Sequence, residues 1–113
     1  MVILLAEDDV GLRLFTSKLL KADGHTVLTA GDGTSALAAS RNHTGAIDLL
    51  LSDITLSGMS GLELWTKVSE ERPGIKVLMM VRDLWERELA AMNGLAFLQK
   101  PFTSTALRDA IAT

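Results

Sequence analysis

A chain of 113 residues is long enough for one hydrophobic core and too short for two, and with 48% apolar side chains it is no disordered tail. Eleven basic against fourteen acidic residues leave a net charge of −3, which gives no footing for nucleic-acid or anionic-membrane binding. The absence of cysteine excludes disulfides, thiolate metal sites and a cysteine nucleophile.

The chain opens on Met1-Val2-Ile3-Leu4-Leu5-Ala6 and turns acidic at Glu7. That run is too short for the apolar region of a signal sequence and lacks a basic flank. No later run could span a membrane, so a cytoplasmic location is expected. Val2–Ala6 reads as a strand, almost wholly apolar, as a parallel strand covered on both faces should be. A helix follows, with Leu12, Phe15 and Leu19 on one inward stripe, Arg13, Lys18 and Lys21 outside, and Gly24 as its stop. Thr26–Ala30, more polar, reads as an edge strand. A second helix runs from about Asp32 to Arg41, Ala-rich behind an Asp cap. The third strand is Asp48–Ser52. Its helix opens with the capping-box pattern Ser60-Gly61-Leu62-Glu63 and ends before Pro73. Lys76–Val81 is the fourth strand, followed by a helix over roughly Leu84 to Met92 closed by Asn93-Gly94. Leu95–Gln99 is the fifth strand, and the last helix follows Pro101 with Leu107 and Ile111 facing in. Strict βα alternation, with no repeat, linker or low-complexity stretch, predicts one α/β domain over residues 1–113. It is a doubly wound five-stranded parallel sheet with right-handed crossovers and helices on both faces.

Ligands of such sheets bind beyond the carboxyl ends of the strands, where the strand order reverses. The first strand ends in Glu7-Asp8-Asp9, the third in Ser52-Asp53, the fourth in Val81-Arg82 and the fifth in Lys100-Pro101. In the common order 2-1-3-4-5, Glu7, Asp8 and Asp53 meet at the switch point, with Lys100 approaching from the far side. Crowded carboxylates repel, and a hard divalent cation with oxygen ligands relieves them. A carboxylate nucleophile (Asp53), Mg²⁺ and a lysine around one cavity suit phosphoryl transfer, which depends mostly on positioning and charge stabilisation. Each piece alone has a plainer reading. An acidic triplet before a helix is a cap, and Asp9 is assigned that part. An Asp ending a strand is a turn residue, and Lys-Pro before a helix is a boundary. The specificity lies in all three occupying the carboxyl ends of strands one, three and five.

These residues resemble the receiver domain of two-component response regulators and hybrid histidine kinases, over essentially the whole chain. The matching segments are Ile3 to Asp9, Gly24 to Val27, Ala30 to Leu37, Ile47 to Asp53, Gly58 to Leu64 and Phe97 to Phe102. The resemblance implies a flavodoxin-like fold and a phospho-acceptor at Asp53. It implies Mg²⁺ held by Glu7, Asp8, Asp53 and the backbone carbonyl of Thr55, with Lys100 as the invariant lysine before a typically cis proline bond and Phe97 as the switch aromatic. It also implies a histidine kinase or histidine phosphotransfer domain as phosphodonor and a protein partner that is switched. The domain itself is expected to bind neither nucleic acid nor membrane and to be a monomer or weak homodimer. Three departures stand out. Ser57 replaces the usual proline, and the stretch from the fourth strand to Lys100 is about three residues short, close to one helical turn. Val81 occupies the position of the phosphate-contacting threonine or serine, and no Ser or Thr lies between Ser69 and Thr103 to take its place.

Two readings compete with a phospho-accepting, non-enzymatic receiver. A degenerate receiver acting as a phosphorylation-independent interaction module is favoured by Val81 and disfavoured by intact Glu7, Asp8, Asp53 and Lys100. A haloacid-dehalogenase-like phosphatase is suggested by Asp53-Ile54-Thr55-Leu56, but Thr55 replaces that family's second Asp and two βα units precede Asp53. Arg82 is assigned to solvent, with a guanidinium that reaches the phosphate and partly compensates for Val81 as the alternative; Trp65 and Trp85 are assigned to packing or a partner surface, and His25 and His43 lack ligand spacing. The sequence is expected to be either a single-domain regulator or a receiver from a larger protein.

Overall fold

The computed structural model describes all 113 residues. Five strands, β1 (Val2–Ala6), β2 (Thr26–Ala30), β3 (Leu49–Asp53), β4 (Lys76–Val81) and β5 (Phe97–Gln99), alternate with five helices. These are α1 (Val10–Ala22), α2 (Gly33–Asn42), α3 (Gly61–Glu71), α4 (Leu84–Met92) and α5 (Ser104–Ala112). The strands form one parallel sheet in the order β2-β1-β3-β4-β5, so the polar β2 is an edge and the order reverses between β1 and β3. Successive residues of β1 go to opposite layers. Leu4 and Ala6 pack with Leu50, Ala36, Leu37, Leu64 and Val68 beneath α2 and α3. Ile3 and Leu5 pack with Leu51, Met80, Leu20 and Leu107 beneath α1 and α5. A third cluster, Ile54, Met79, Val81 and Ala90, fills the angle between the β3–β4 ends and α4.

Every helix starts on a side-chain cap. Asp9, Asp32, Ser60, Asp83 and Thr103 each accept a hydrogen bond from the amide three residues on. These caps sit in the βα loops, so they fix the rim of the sheet where the strands end. At the opposite rim, Arg72 closes α3 against α2. Its guanidinium donates to Ser40 Oγ at 3.0 Å and to the carbonyls of Ser40, His43 and Gly45 at 2.7–2.8 Å.

The structure moves some expected boundaries. β3 begins at Leu49, although Asp48 still bonds Val2 and Lys76 through its backbone and accepts from the Val2 amide on its side chain at 2.7 Å, and it extends to Asp53, which pairs with Met80. β5 begins at Phe97, because the Leu95 amide is spent on the Ala90 carbonyl in closing α4. The inward stripe of α1 is also different. Thr16, Ser17 and Leu20 are buried, Phe15 is 51% exposed and Arg13 is half-buried. Small side chains at Thr16 and Ser17 take the sheet-facing side, which turns Phe15 outward. The Arg13 guanidinium is drawn in to the Glu7 carbonyl at 2.8 Å.

Gly61 places the acceptor strand against α3. Its amide donates to the Ile54 carbonyl at 2.9 Å, and a Cβ there would collide with the Asp53 carbonyl and approach Ile54 Cα to 2.9 Å. Gly61→Ala should therefore cost about 1–3 kcal/mol by overpacking backbone that cannot yield. Urea unfolding checks it, and an unchanged midpoint would show that α3 can slide away from β3.

Candidate functional site

Glu7 directly follows β1 and is fully buried, its amide held by the Ala30 carbonyl of β2 at 3.1 Å. Asp53 closes β3 and is 4% exposed. Lys100 follows β5, its amide bonded to the Val81 carbonyl at 2.7 Å, and its bond to Pro101 is cis as the resemblance implied. The three side chains converge. Lys100 Nζ lies 2.6 Å from Glu7 Oε1 and 2.5 Å from Asp53 Oδ1, with the lysine side chain only 14% exposed. The Asp9 amide donates to Glu7 Oε2 at 3.1 Å, and the Asp8 amide makes a long bond of 3.4 Å to Asp53 Oδ2. Asp8 itself is exposed at the mouth, and Asp9 is the cap of α1, as assigned.

Two carboxylates face one ammonium in low dielectric, so the pocket retains a proton. Burial, then the adjoining Glu7, push the Asp53 carboxyl up to about 8 against the pull of Lys100. Burial also pushes Glu7 upward, but its bonds to Asp53, Lys100 and the Asp9 amide bring it below the ordinary range. Burial lowers Lys100, and its two carboxylate partners more than reverse that, so it stays charged. In the metal-free pocket these shifts favour a proton on Asp53 beside an ionised Glu7 and a cationic Lys100.

The donor set suits a hard cation. Glu7, Asp8 and Asp53 each present a carboxylate oxygen within 4.8 Å of the others. Glu7 Oε1 and Asp53 Oδ1, though close to Lys100 Nζ, are buried without a well-directed hydrogen bond and keep lone pairs to offer. The Thr55 carbonyl accepts no hydrogen bond. All these donors are oxygen, the set that Mg²⁺ prefers.

Val81 is fully buried in the apolar cluster with Ile54, Met79 and Ala90. Phe97 is 37% exposed, with the Arg87 guanidinium over its ring at 5.4 Å. Trp65 packs between two core clusters, whereas Trp85 is 74% exposed. Arg82 faces solvent as assigned, its side chain 61% exposed, and its guanidinium is also bound to Glu86 Oε2 at 2.9 Å. Glu86 is the residue that sequence reasoning missed. It is 4% exposed and also accepts from the Arg82 amide at 2.7 Å and from Thr55 Oγ1 at 2.8 Å. The available signal was Asp83-Leu84-Trp85-Glu86, a cap-to-third-residue pairing like the one at Ser60.

The family model described as the response regulator receiver domain matches residues 3–112. The chain belongs to that family. It is 35% identical over 104 residues to the probable transcriptional regulatory protein TcrX of Mycobacterium tuberculosis, covering 89% of this chain and 44% of that protein. It is 31% identical to the sensor kinase CckA of Brucella abortus, covering 89% of this chain and 11% of that one. The receiver thus spans less than half the length of these relatives. Among solved structures, the receiver domain of the hybrid histidine kinase CckA superposes with a TM-score of 0.83 at 30% identity, covering 99% and 96% of the two chains. A response regulator receiver protein from Sinorhizobium medicae gives 0.88 at 27% identity, covering 99% and 91%. Receivers are two-component signalling domains rather than classical enzymes. They accept phosphoryl groups from histidine kinases or phosphotransfer proteins and generally bind Mg²⁺ at an acidic pocket. No helix is long and apolar enough to cross a membrane.

The retained proton has a consequence for stability. A carboxyl whose folded value is raised destabilises the fold once the unfolded chain ionises, so metal-free stability should fall as pH rises from about 4 to about 8. Asp53→Asn, a neutral copy of the protonated acid, should flatten that slope and be the more stable protein at pH 8. Thermal unfolding in EDTA across this range measures it; a slope identical in the variant would contradict a proton held at Asp53.

Proposed function

We propose that residues 1–113 form a single receiver domain that takes a phosphoryl group onto Asp53 with Mg²⁺ and switches a protein partner. The donor would be a histidine kinase or histidine phosphotransfer domain, and the receiver would work through protein contacts as a monomer or weak homodimer. The observation that carries the reading is the Lys100 ammonium set between Glu7 and Asp53 in a buried, oxygen-lined pocket.

Ionised Asp53 Oδ attacks the phosphorus of a phosphohistidine. The new O–P bond gives an acyl phosphate, the P–N bond breaks, and its electron pair leaves with the imidazole, which takes up a proton. Glu7, Asp8, Asp53 and the Thr55 carbonyl would hold Mg²⁺, which when bound supplies charge neutralisation at the transferring oxygens. Lys100 contributes a fixed positive charge and already counters the acceptor carboxylate. Asp8, exposed at the mouth, adds negative charge that favours a divalent ion over solvent. Val81 copies the shape of threonine without its hydroxyl, so one donor to the phosphoryl oxygens is missing. The buried apolar setting of Val81 and the placement of Phe97 beneath Arg87 favour a second reading, a receiver that binds partners without phosphorylation.

Acetyl phosphate with Mg²⁺, followed by intact-mass measurement, separates the two. One phosphoryl group should be added to the wild type and to Asp9→Asn, and none to Asp53→Asn or without Mg²⁺. Labelling that persists in Asp53→Asn would overturn the assignment, and no labelling of the wild type would favour the second reading. Because a hydrogen bond to a charged oxygen is worth about 1.5–3 kcal/mol, Val81→Thr should speed transfer by roughly ten- to a hundredfold. An unchanged rate would mean that the pocket is built around valine.

A further inference from the structure

We propose that Glu86 is the positioning residue that links the acceptor pocket to α4, supplying a connection that Val81, without a hydroxyl, cannot make. The proposal rests on the phospho-acceptor reading above.

A nearly buried carboxylate needs strong partners, and Glu86 gathers them from two sides. In a capping box the third helical residue bonds back to the amide of its own cap. Glu86 instead receives the Arg82 amide, one residue earlier, at 2.7 Å, together with the Arg82 guanidinium at 2.9 Å. Asp83 caps the helix separately by accepting from the Glu86 amide at 2.9 Å. These contacts would satisfy a residue whose only work was to start α4. The bond from Thr55 Oγ1 at 2.8 Å is beyond that need. Thr55 lies two residues after Asp53, and its carbonyl belongs to the candidate metal set. The Thr55–Glu86 bond is the one side-chain hydrogen bond that joins the loop from Ile54 to Ser60 with α4.

Arg82 gives the link two states. Its guanidinium is held by Glu86, and Arg82 directly follows β4, in which Met80 pairs with Asp53, so it stands at the same edge of the sheet as the acceptor. A doubly negative phosphoryl group on Asp53 competes with Glu86 for this exposed guanidinium, and metal at the Thr55 carbonyl draws on the same loop. Both changes act on the Glu86 carboxylate and hence on the first turn of α4. That turn presents Leu84 and Trp85, 67% and 74% exposed, as a surface a partner would read. The differential attraction of the two anions for one cation provides the free energy that any such shift requires.

The test is ¹H–¹⁵N NMR of the full chain with Mg²⁺ and beryllium fluoride, a phosphoryl mimic on a carboxylate, with every protein compared at saturation. The Ile54 and Lys100 amides report occupancy, and the Trp85 indole and the amides of residues 84–88 report α4. In the wild type both sets should move. In Glu86→Gln and in Thr55→Val the α4 shifts should fall by at least half relative to the occupancy shifts, and Thr55→Ser, which keeps the hydroxyl, should restore them. Full α4 shifts in Thr55→Val would overturn the link, as would α4 shifts in Glu86→Gln equal to the wild type. Thr55 is exposed, so its variants decide the matter even if Glu86→Gln folds poorly. Occupancy amides that do not respond in the wild type would instead overturn the phospho-acceptor reading, and the link with it.

Discussion

The ion pair between Lys100 and the two buried carboxylates is the constraint around which the carboxyl edge of the sheet is organised. Glu7 and Asp53 arrive on neighbouring central strands, and the β1–β3 register leaves no way to separate them. Two carboxylates at that depth need a cation or a proton between them; Lys100 supplies the ammonium, and burial raises the affinity of Asp53 for a proton. Removing Lys100 would leave an uncompensated buried charge, a loss of about 3–5 kcal/mol in comparable cases. The pocket is therefore poised rather than satisfied. Lys100 stands between the two carboxylates, yet two buried oxygens lack well-directed hydrogen bonds.

The elements around the pocket hold it still. Apolar strands lock β1, β3 and β4 together between two helical layers. Asp9, Asp32, Ser60, Asp83 and Thr103 begin the helices at the edge where the chemistry sits, and Gly61 lets α3 approach the backbone of Asp53. The more exposed contacts lie at the rim, namely Phe97 under Arg87, and Arg82 and Thr55 on Glu86.

What the sequence revealed follows from which interactions are local. β1 and β4 were legible to the residue because apolar runs bounded by turn signals carry their own boundaries, and β2 and α4 were bracketed by Gly24 and Gly31 and by Asp83 and Asn93-Gly94. Glu7, Asp8, Asp53 and Lys100 were legible as a constellation, because topology alone brings the ends of β1, β3 and β5 together. The inward face of α1 was not. Periodicity identifies a stripe, and the close approach permitted by Thr16 and Ser17 then decided which side met the sheet and turned Phe15 outward. Glu86 and Arg72 were missed for a related reason. Charged residues on or beside helices are by default solvated; the cap-to-third-residue pairing Asp83–Glu86 is local, but the partner hydroxyl 31 residues away and the α2-end carbonyls that take up Arg72 are not.

The central claim is that a divalent ion and a proton compete for one carboxylate pocket closed by Lys100. Calorimetric titration of Mg²⁺ at pH 7 in buffers of different ionisation enthalpy tests it most directly, because metal binding to a protonated ligand must release that proton. The account predicts close to one proton, about one per ion, released at pH 7, falling towards none above pH 9, and no such release from Asp53→Asn. Binding heats that do not depend on the buffer would contradict it.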